Sequence, residues 1–202
     1  LLNTIRDLTF DNIYHEHTNY WSLSTLNIFF EKLELKIFKV EKIDTHGGSI
    51  RVYVSKDKEI SVDESVKIIL QEEEEFGLRD ISTYLEFGKK IESLKKEVIK
   101  NIGTLKKNYS SIVGYGAPAK ATTALNFFNI SKEIDYIVED NKLKHGKYIP
   151  GVNIKIVSKK EFKNKDQAIF VLAWNFFDEI KKNNNDLSNN FINIKSLEKN
   201  QF

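Results

Sequence analysis

The chain has no cysteine and no methionine, only two prolines among its 202 residues, and no long apolar run. Without cysteine there is no disulfide, no thiolate zinc site and no cysteine nucleophile. No apolar stretch approaches the roughly 18 to 20 residues that a membrane-spanning helix needs. The N-terminal segment also lacks the basic, apolar and small-residue succession of a signal peptide, so a soluble cytoplasmic protein with no membrane partner is expected. Charge is nearly balanced, 31 Lys plus Arg against 29 Asp plus Glu. With the basic residues spread out rather than gathered in a stripe, nucleic acid is not an expected partner. The length suffices for one good core, or for one domain and a piece of another. A chain opening Leu1-Leu2 has no initiator and begins in an apolar stretch, so we expect the back part of a longer protein.

Apolar periodicity orders what is present. Leu23, Leu26, Phe29, Phe30 and Leu33 recur at helical spacing behind Ser22, a ready N-cap. Leu35 to Ile43 and Ser49 to Val54 read as the strands of a hairpin closed by a His46-Gly47-Gly48 turn. Val62 to Glu75 reads as a second helix, whose acidic run Glu72 to Glu75 predicts a solvated face. Asp80 to about Lys107 reads as one long helix.

Beyond Lys107 the strand-like runs Ile112 to Tyr115, Ile134 to Val138, Ile154 to Val157, Ile169 to Ala173 and Phe191 to Ile194 alternate with helices expected after Pro118, Ser158 and Asn175. That alternation implies a Rossmann-like, doubly wound parallel sheet, giving an α/β protein with a hairpin and helices in front of it.

Four clusters could carry chemistry. In Asp11-Asn12-Ile13-Tyr14-His15-Glu16-His17, the acid/base side chains Tyr14, Glu16 and His17 fall together, and a turn there would let them converge. A polar loop with core-satisfied histidines is the plainer alternative, and a zinc site from His15, His17 and His46 has no supporting pattern elsewhere. In Thr45-His46-Gly47-Gly48-Ser49-Ile50-Arg51, the glycines permit close approach of a ligand while His46 and Arg51 offer donors; the alternative is a hairpin turn. Gly114-Tyr115-Gly116-Ala117-Pro118-Ala119-Lys120 follows a strand and opens a helix, matching Gly-x-Gly-x-x-Ala, with Glu139 and Asp140 after the next strand. Its amides and Lys120 favour an anion, unless the turn is purely structural. The last cluster, Glu139 to Gly151, lies at a strand's carboxyl end, and Asn175 ends another strand as a candidate helix N-cap.

Five segments in order, Phe-Asp-x-Ile-Tyr-His-Glu-His from Phe10, Thr-His-Gly-Gly-Ser-x-Arg-Val from Thr45, Gly-Tyr-Gly-Ala-Pro-Ala-Lys from Gly114, Lys-x-Gly-x-x-x-Pro-Gly from Lys144 and Ala-Trp-Asn-Phe-x-x-Glu-Ile from Ala173, resemble the C-methyltransferases that act on nucleotide-linked 4-keto deoxysugars. The resemblance implies the end of a central methyltransferase domain over 1–60, a helical connector over 61–107 and a C-terminal Rossmann-like substrate-binding domain over 108–202. It implies S-adenosylmethionine as methyl donor, bound mainly by a domain absent from this chain, and zinc in an absent N-terminal domain, with no metal here.

The resemblance further implies that His17 is the base, with Tyr14 and Glu16 orienting it or steadying an oxyanion. It implies a nucleotide-sugar substrate, thymidine diphosphate-linked, met by His46, Gly47, Gly48, Arg51, Gly114, Gly116, Lys120 and Asn175. Glu139-Asp140-Asn141-Lys142 departs from the family's Asp-x-Asn-Pro run. Two other readings stay open: a non-catalytic nucleotide-sugar binding or assembly module, and an NAD-dependent dehydrogenase resting on the Gly114 turn alone.

Overall fold

Ser22 starts the first substantial helix. In the computed structural model, which describes residues 1–162, 166–187 and 190–193, Ser22 and Thr25 cap each other reciprocally at the head of α2 (Leu23–Lys32), which follows a short α1 (Leu2–Arg6). The next amides of α2, those of Leu23 and Ser24, donate to the carboxylate of Glu73 at 2.6 and 2.8 Å. Glu73 is therefore buried, and it departs from the solvated face expected of the run, which Glu74 and Glu75 keep. Two amides at a positive helix end outweigh the cost of desolvating that carboxylate.

The strands β1 (Lys36–Ile43) and β2 (Ser49–Ser55) pair antiparallel, with Val40 opposite Val52 and Ile43 opposite Ser49. The turn between them is a 3₁₀ turn, Thr45–Gly47. α3 (Glu64–Glu75) begins two residues later than predicted, because the Asp63 side chain accepts from the Ser65 amide and caps it there. Leu23, Ile37, Val40, Val66 and Ile69 form the core of this part.

α4 runs Ile81–Asn108. Its buried residues Ile91, Leu94, Val98, Ile102 and Leu105 keep the expected spacing, but Ile81 and Leu85 are exposed, so the apolar stripe covers only the later turns. The chain divides into two compact units, Leu1–Ile91 and Glu92–Phe202.

In the second unit five parallel strands lie in the order β5-β4-β3-β6-β7, with β3 Ser111–Tyr115, β4 Ile137–Val138, β5 Ile156–Val157, β6 Gln167–Val171 and β7 Phe191–Asn193. The chain moves one way from β3 and the other way from β6. Right-handed crossovers through α5 (Ala119–Phe128) and α6 (Phe177–Asn183) then lie on opposite faces, which is the doubly wound plan. The inner strand β6 is buried along its whole length, as a strand covered on both faces must be.

Three local expectations change. Ile154 and Lys155 turn back to bridge Ile149 and Tyr148 across Pro150-Gly151, which shortens β5. The Ile156 amide also donates to Lys147 O at 2.8 Å, so the outer edge of β5 is occupied. In place of a helix after Ser158 stands a 3₁₀ turn, Lys159–Glu161. The N-cap of α6 is Phe176 rather than Asn175, because a 3₁₀ turn over Trp174–Phe176 comes first. Ile194, the expected end of the last strand, lies outside the described residues.

Candidate functional site

In the first unit the 3₁₀ turn Phe10–Asn12 buries Asn12. A second turn follows, closed by His17 N to Tyr14 O at 2.9 Å. It carries the His17 ring onto Tyr14, with ring centroids 4.1 Å apart. Tyr14 and His17 thus converge as expected of a turn, whereas the Glu16 side chain is two-thirds exposed and lies 3.9 Å from His15. The imidazole Nδ1 of His17 is 2.8 Å from the Asn12 carbonyl oxygen. A carbonyl only accepts, so Nδ1 carries the proton and Nε2 of the neutral ring keeps its lone pair.

Tyr20 donates to the same carbonyl at 3.1 Å, and Asn12 Nδ2 donates to His46 O at 3.2 Å. The His46 ring stands edge-on to His17 at 5.5 Å. Burial, then the charge of Glu16 and then Tyr20, push the Tyr14 hydroxyl above the ordinary tyrosine value, so near neutrality it is a donor.

His46 and Gly47 both take positive φ, and Gly48 has φ +113° with its missing Cβ pointing 2.0 Å from Asn3 Nδ2. Only glycine meets both conditions at Gly48. Arg51 lies opposite Glu41 on the hairpin ladder, with 3.6 Å between the charged groups, and is over half exposed. Among the described residues no group of three His, Cys, Asp or Glu could hold a metal ion. Nor is any helix among them long and apolar enough to cross a membrane.

In the second unit a cavity of about 420 Å³ opens where β3 and β6 end. Gly116 lines it; Gly114 and Lys120 do not. Gly114 packs inside the sheet, where an added Cβ would fall 2.7 Å from Ile137 Cγ1. The Lys120 ammonium lies 5.0 Å from the ring centroid of Trp174. The side chain of Asn175 lies outside what the structure describes.

Two amides of the turn are engaged: Gly116 N donates to Val138 O and Ala117 N to Glu139 Oε2, both at 2.8 Å. Burial works to raise the Glu139 carboxyl. The Asn141 and Ala117 amides, with Lys144 3.6 Å away, outweigh it and hold the group below the usual carboxylate range. Deeper in, the buried Tyr115 hydroxyl donates toward Asp140, and burial followed by Asp140 keeps it protonated well beyond its ordinary range.

Asn12 and Tyr20 were not singled out by sequence, although Tyr14, His17 and Tyr20 recur every three residues. Asn183 and Asn184, which line the cavity from the end of α6, left no signal in the sequence at all.

A doubly wound parallel sheet with a ligand-sized cavity at the point where strand order reverses defines the second unit as Rossmann-like. The chain belongs to the C-methyltransferase C-terminal domain family, which it matches over residues 44–193. It is 31% identical over 195 residues to the C-methyltransferase NovU of Streptomyces niveus, an alignment taking in 94% of this chain and 46% of that protein. The chain thus spans about half the length of the curated relative it matches.

Proposed function

We propose that this chain is the C-terminal part of an S-adenosylmethionine-dependent C-methyltransferase acting on a nucleotide-linked 4-keto deoxysugar, with His17 as the base. The observation that carries the reading is the bond from His17 Nδ1 to the Asn12 carbonyl, which leaves Nε2 as acceptor. A C4 ketone acidifies the neighbouring C3 hydrogen, because the electron pair left behind spreads onto the carbonyl oxygen. Nε2 accepts that proton, and the ring becomes a cation whose Nδ1–H still points at the Asn12 carbonyl. The charge is steadied without rearrangement.

Tyr14, stacked on His17 and held protonated, is the donor for the oxygen that becomes negative. Glu16 acts through its charge on Tyr14 rather than by touching the base. His46, Gly47, Gly48 and Arg51 are the substrate-facing turn of the same unit, and the second unit takes the nucleotide, thymidine diphosphate in this reading.

S-adenosylmethionine is the electrophilic methyl source that the family implies. The cavity at the strand ends does not fit it. Glu139, the carboxylate a ribose would need there, is already bonded by Ala117 and Asn141 amides, and Asp140 by Tyr115. The zinc and donor domains of the whole protein belong to this proposal.

The test is exchange of the sugar C3 proton into deuterated water by the complete protein, without methyl donor. Replacing His17 by Asn should slow exchange and methyl transfer alike by about 10²- to 10⁴-fold. Undiminished exchange would remove His17 from the role.

A further inference from the structure

The hydroxyl of Tyr20 reaches His17 through a single carbonyl. His17 Nδ1 bonds the Asn12 carbonyl oxygen at 2.8 Å, and Tyr20 donates to that oxygen at 3.1 Å. The Tyr14 amide comes within 3.1 Å of the same oxygen across Ile13, whose φ of -85° and ψ of 86° make an inverse γ-turn. A bond closed over three residues is bent, and it ties the peptide only to its own neighbour. Tyr20 is the donor from outside the turn, so it fixes which way the carbonyl points.

That direction decides the chemistry of the ring. Among the described residues, Nδ1 is the one nitrogen of the His17 ring with a hydrogen-bond partner. A free neutral imidazole side chain favours the proton on Nε2, the tautomer in which Nε2 cannot accept. Only the Asn12 carbonyl draws the proton to Nδ1. The neighbouring rings do not replace it: Tyr14 lies on the imidazole at 4.1 Å and His46 stands edge-on at 5.5 Å, contacts that hold the plane of the ring without telling its nitrogens apart.

The Asn12 peptide has a second tether. The residue is buried, and its Nδ2 donates to His46 O at 3.2 Å, but that bond holds the side chain and leaves the carbonyl to Tyr20. Burial, against a bond from the Tyr14 backbone, pushes the Tyr20 hydroxyl above the ordinary tyrosine value, so it stays a donor through neutral pH.

We propose that Tyr20 is a positioning residue, whose hydroxyl pins the Asn12 carbonyl toward His17 Nδ1 and so keeps the imidazole in the tautomer with an accepting Nε2. The consequence for catalysis rests on the reading of His17 as the base; the control of the tautomer does not. Tyr20 itself touches no reacting atom.

The test uses the complete protein and Tyr20→Phe, which keeps the ring 6.5 Å from that of His17 and removes the hydroxyl alone. Nitrogen-15 shifts of the His17 ring, identified by the signal missing in His17→Asn, report the tautomer at about pH 8.5, above the ordinary imidazole range. The unaltered protein should show the proton on Nδ1. In Tyr20→Phe the tautomer ratio should move toward Nε2–H by about two- to tenfold, the scale of one neutral hydrogen bond. Exchange of the sugar C3 proton and kcat for methyl transfer should fall in proportion to the Nδ1–H population lost, with KM for the sugar nucleotide unchanged.

A proton on Nε2 in the unaltered protein overturns the inference. So does an unmoved ratio in Tyr20→Phe, and a lower melting temperature beside that unmoved ratio would make the hydroxyl a structural bond only. Undiminished exchange in His17→Asn removes the base reading, and a tautomer shift in Tyr20→Phe then still upholds the positioning role.

Discussion

The hydroxyl of Tyr115 stands 3.0 Å from Asn184 Oδ1. The amide nitrogen of Asn184 donates to Ile180 O at 2.7 Å, so the oxygen is the atom turned toward the tyrosine. The same hydroxyl lies 2.9 Å from Asp140 Oδ1, so a single phenolic proton serves two acceptors from separate parts of the chain. Removing it would leave the oxygens facing one another unbridged.

This proton makes the unit sensitive to alkali. The folded state holds the Tyr115 proton beyond the unfolded value of about 10. Above that pH the unfolded chain binds fewer protons than the folded one, and stability falls as pH rises. Urea unfolding between pH 8 and about 11 should show the decline. Tyr115→Phe should make it shallower, whereas an unaltered slope would place the alkaline sensitivity elsewhere.

Glu139 works at the other end of the scale. Its folded value is depressed, so the stabilisation is present above the unfolded value of about 4.3 and disappears as pH falls through the folded one. Glu139→Gln removes the charge from two amide bonds at a mostly buried position. It should cost about 1.5 to 3 kcal/mol at neutral pH. The cost should shrink on acidification, which thermal melts at pH 7 and about 3 would compare.

Gly48→Ala places a Cβ at φ +113° and against Asn3 Nδ2. The Asn3 side chain can move, but the backbone strain remains, so a loss of about 1 to 3 kcal/mol is expected. NMR shifts of the His46 ring should change with it, since His46 leads into the same turn.

Tyr14→Phe keeps the ring on His17 and removes the hydroxyl. In the complete protein methyl transfer should drop by about 10²- to 10³-fold, the scale of one lost oxyanion donor. Affinity for the sugar nucleotide should change little. A fall in affinity with kcat intact would make Tyr14 a binding group instead.

Lys120 separates the cavity from the turn as the nucleotide's seat. With its ammonium against Trp174, Lys120→Ala should leave thymidine diphosphate affinity within about threefold and lower stability by about 0.5 to 2 kcal/mol. NAD should not raise the melting temperature, since the Ala117 amide its pyrophosphate would need is bonded to Glu139. A large loss of affinity in the Lys120 variant would restore the turn as a phosphate site.

Much of this architecture was readable residue by residue. Ile50, Val52 and Val54 alternate as a hairpin strand requires, Ser22 caps its helix, and short apolar runs spaced by helical segments gave the parallel sheet. The convergence of Tyr14 with His17 was legible only as a possibility of a turn. The group that orients the imidazole is a backbone carbonyl, and every residue has one. For the same reason the Gly114 turn reads as an anion site: a fingerprint records where amides are, not that a carboxylate 22 residues on has taken one of them. The role of Glu73 is not legible in the sequence because a buried capping carboxylate and a solvated one look alike in an acidic run.

The covered edge of β5 has a bearing on how the protein behaves when crowded or heated. An open strand edge facing solvent is a template for another chain. Gly146 N to Ile156 O at 2.9 Å and Ile156 N to Lys147 O at 2.8 Å use up the groups that a neighbour would need. On that side the sheet is capped by its own loop, which discourages strand-to-strand aggregation.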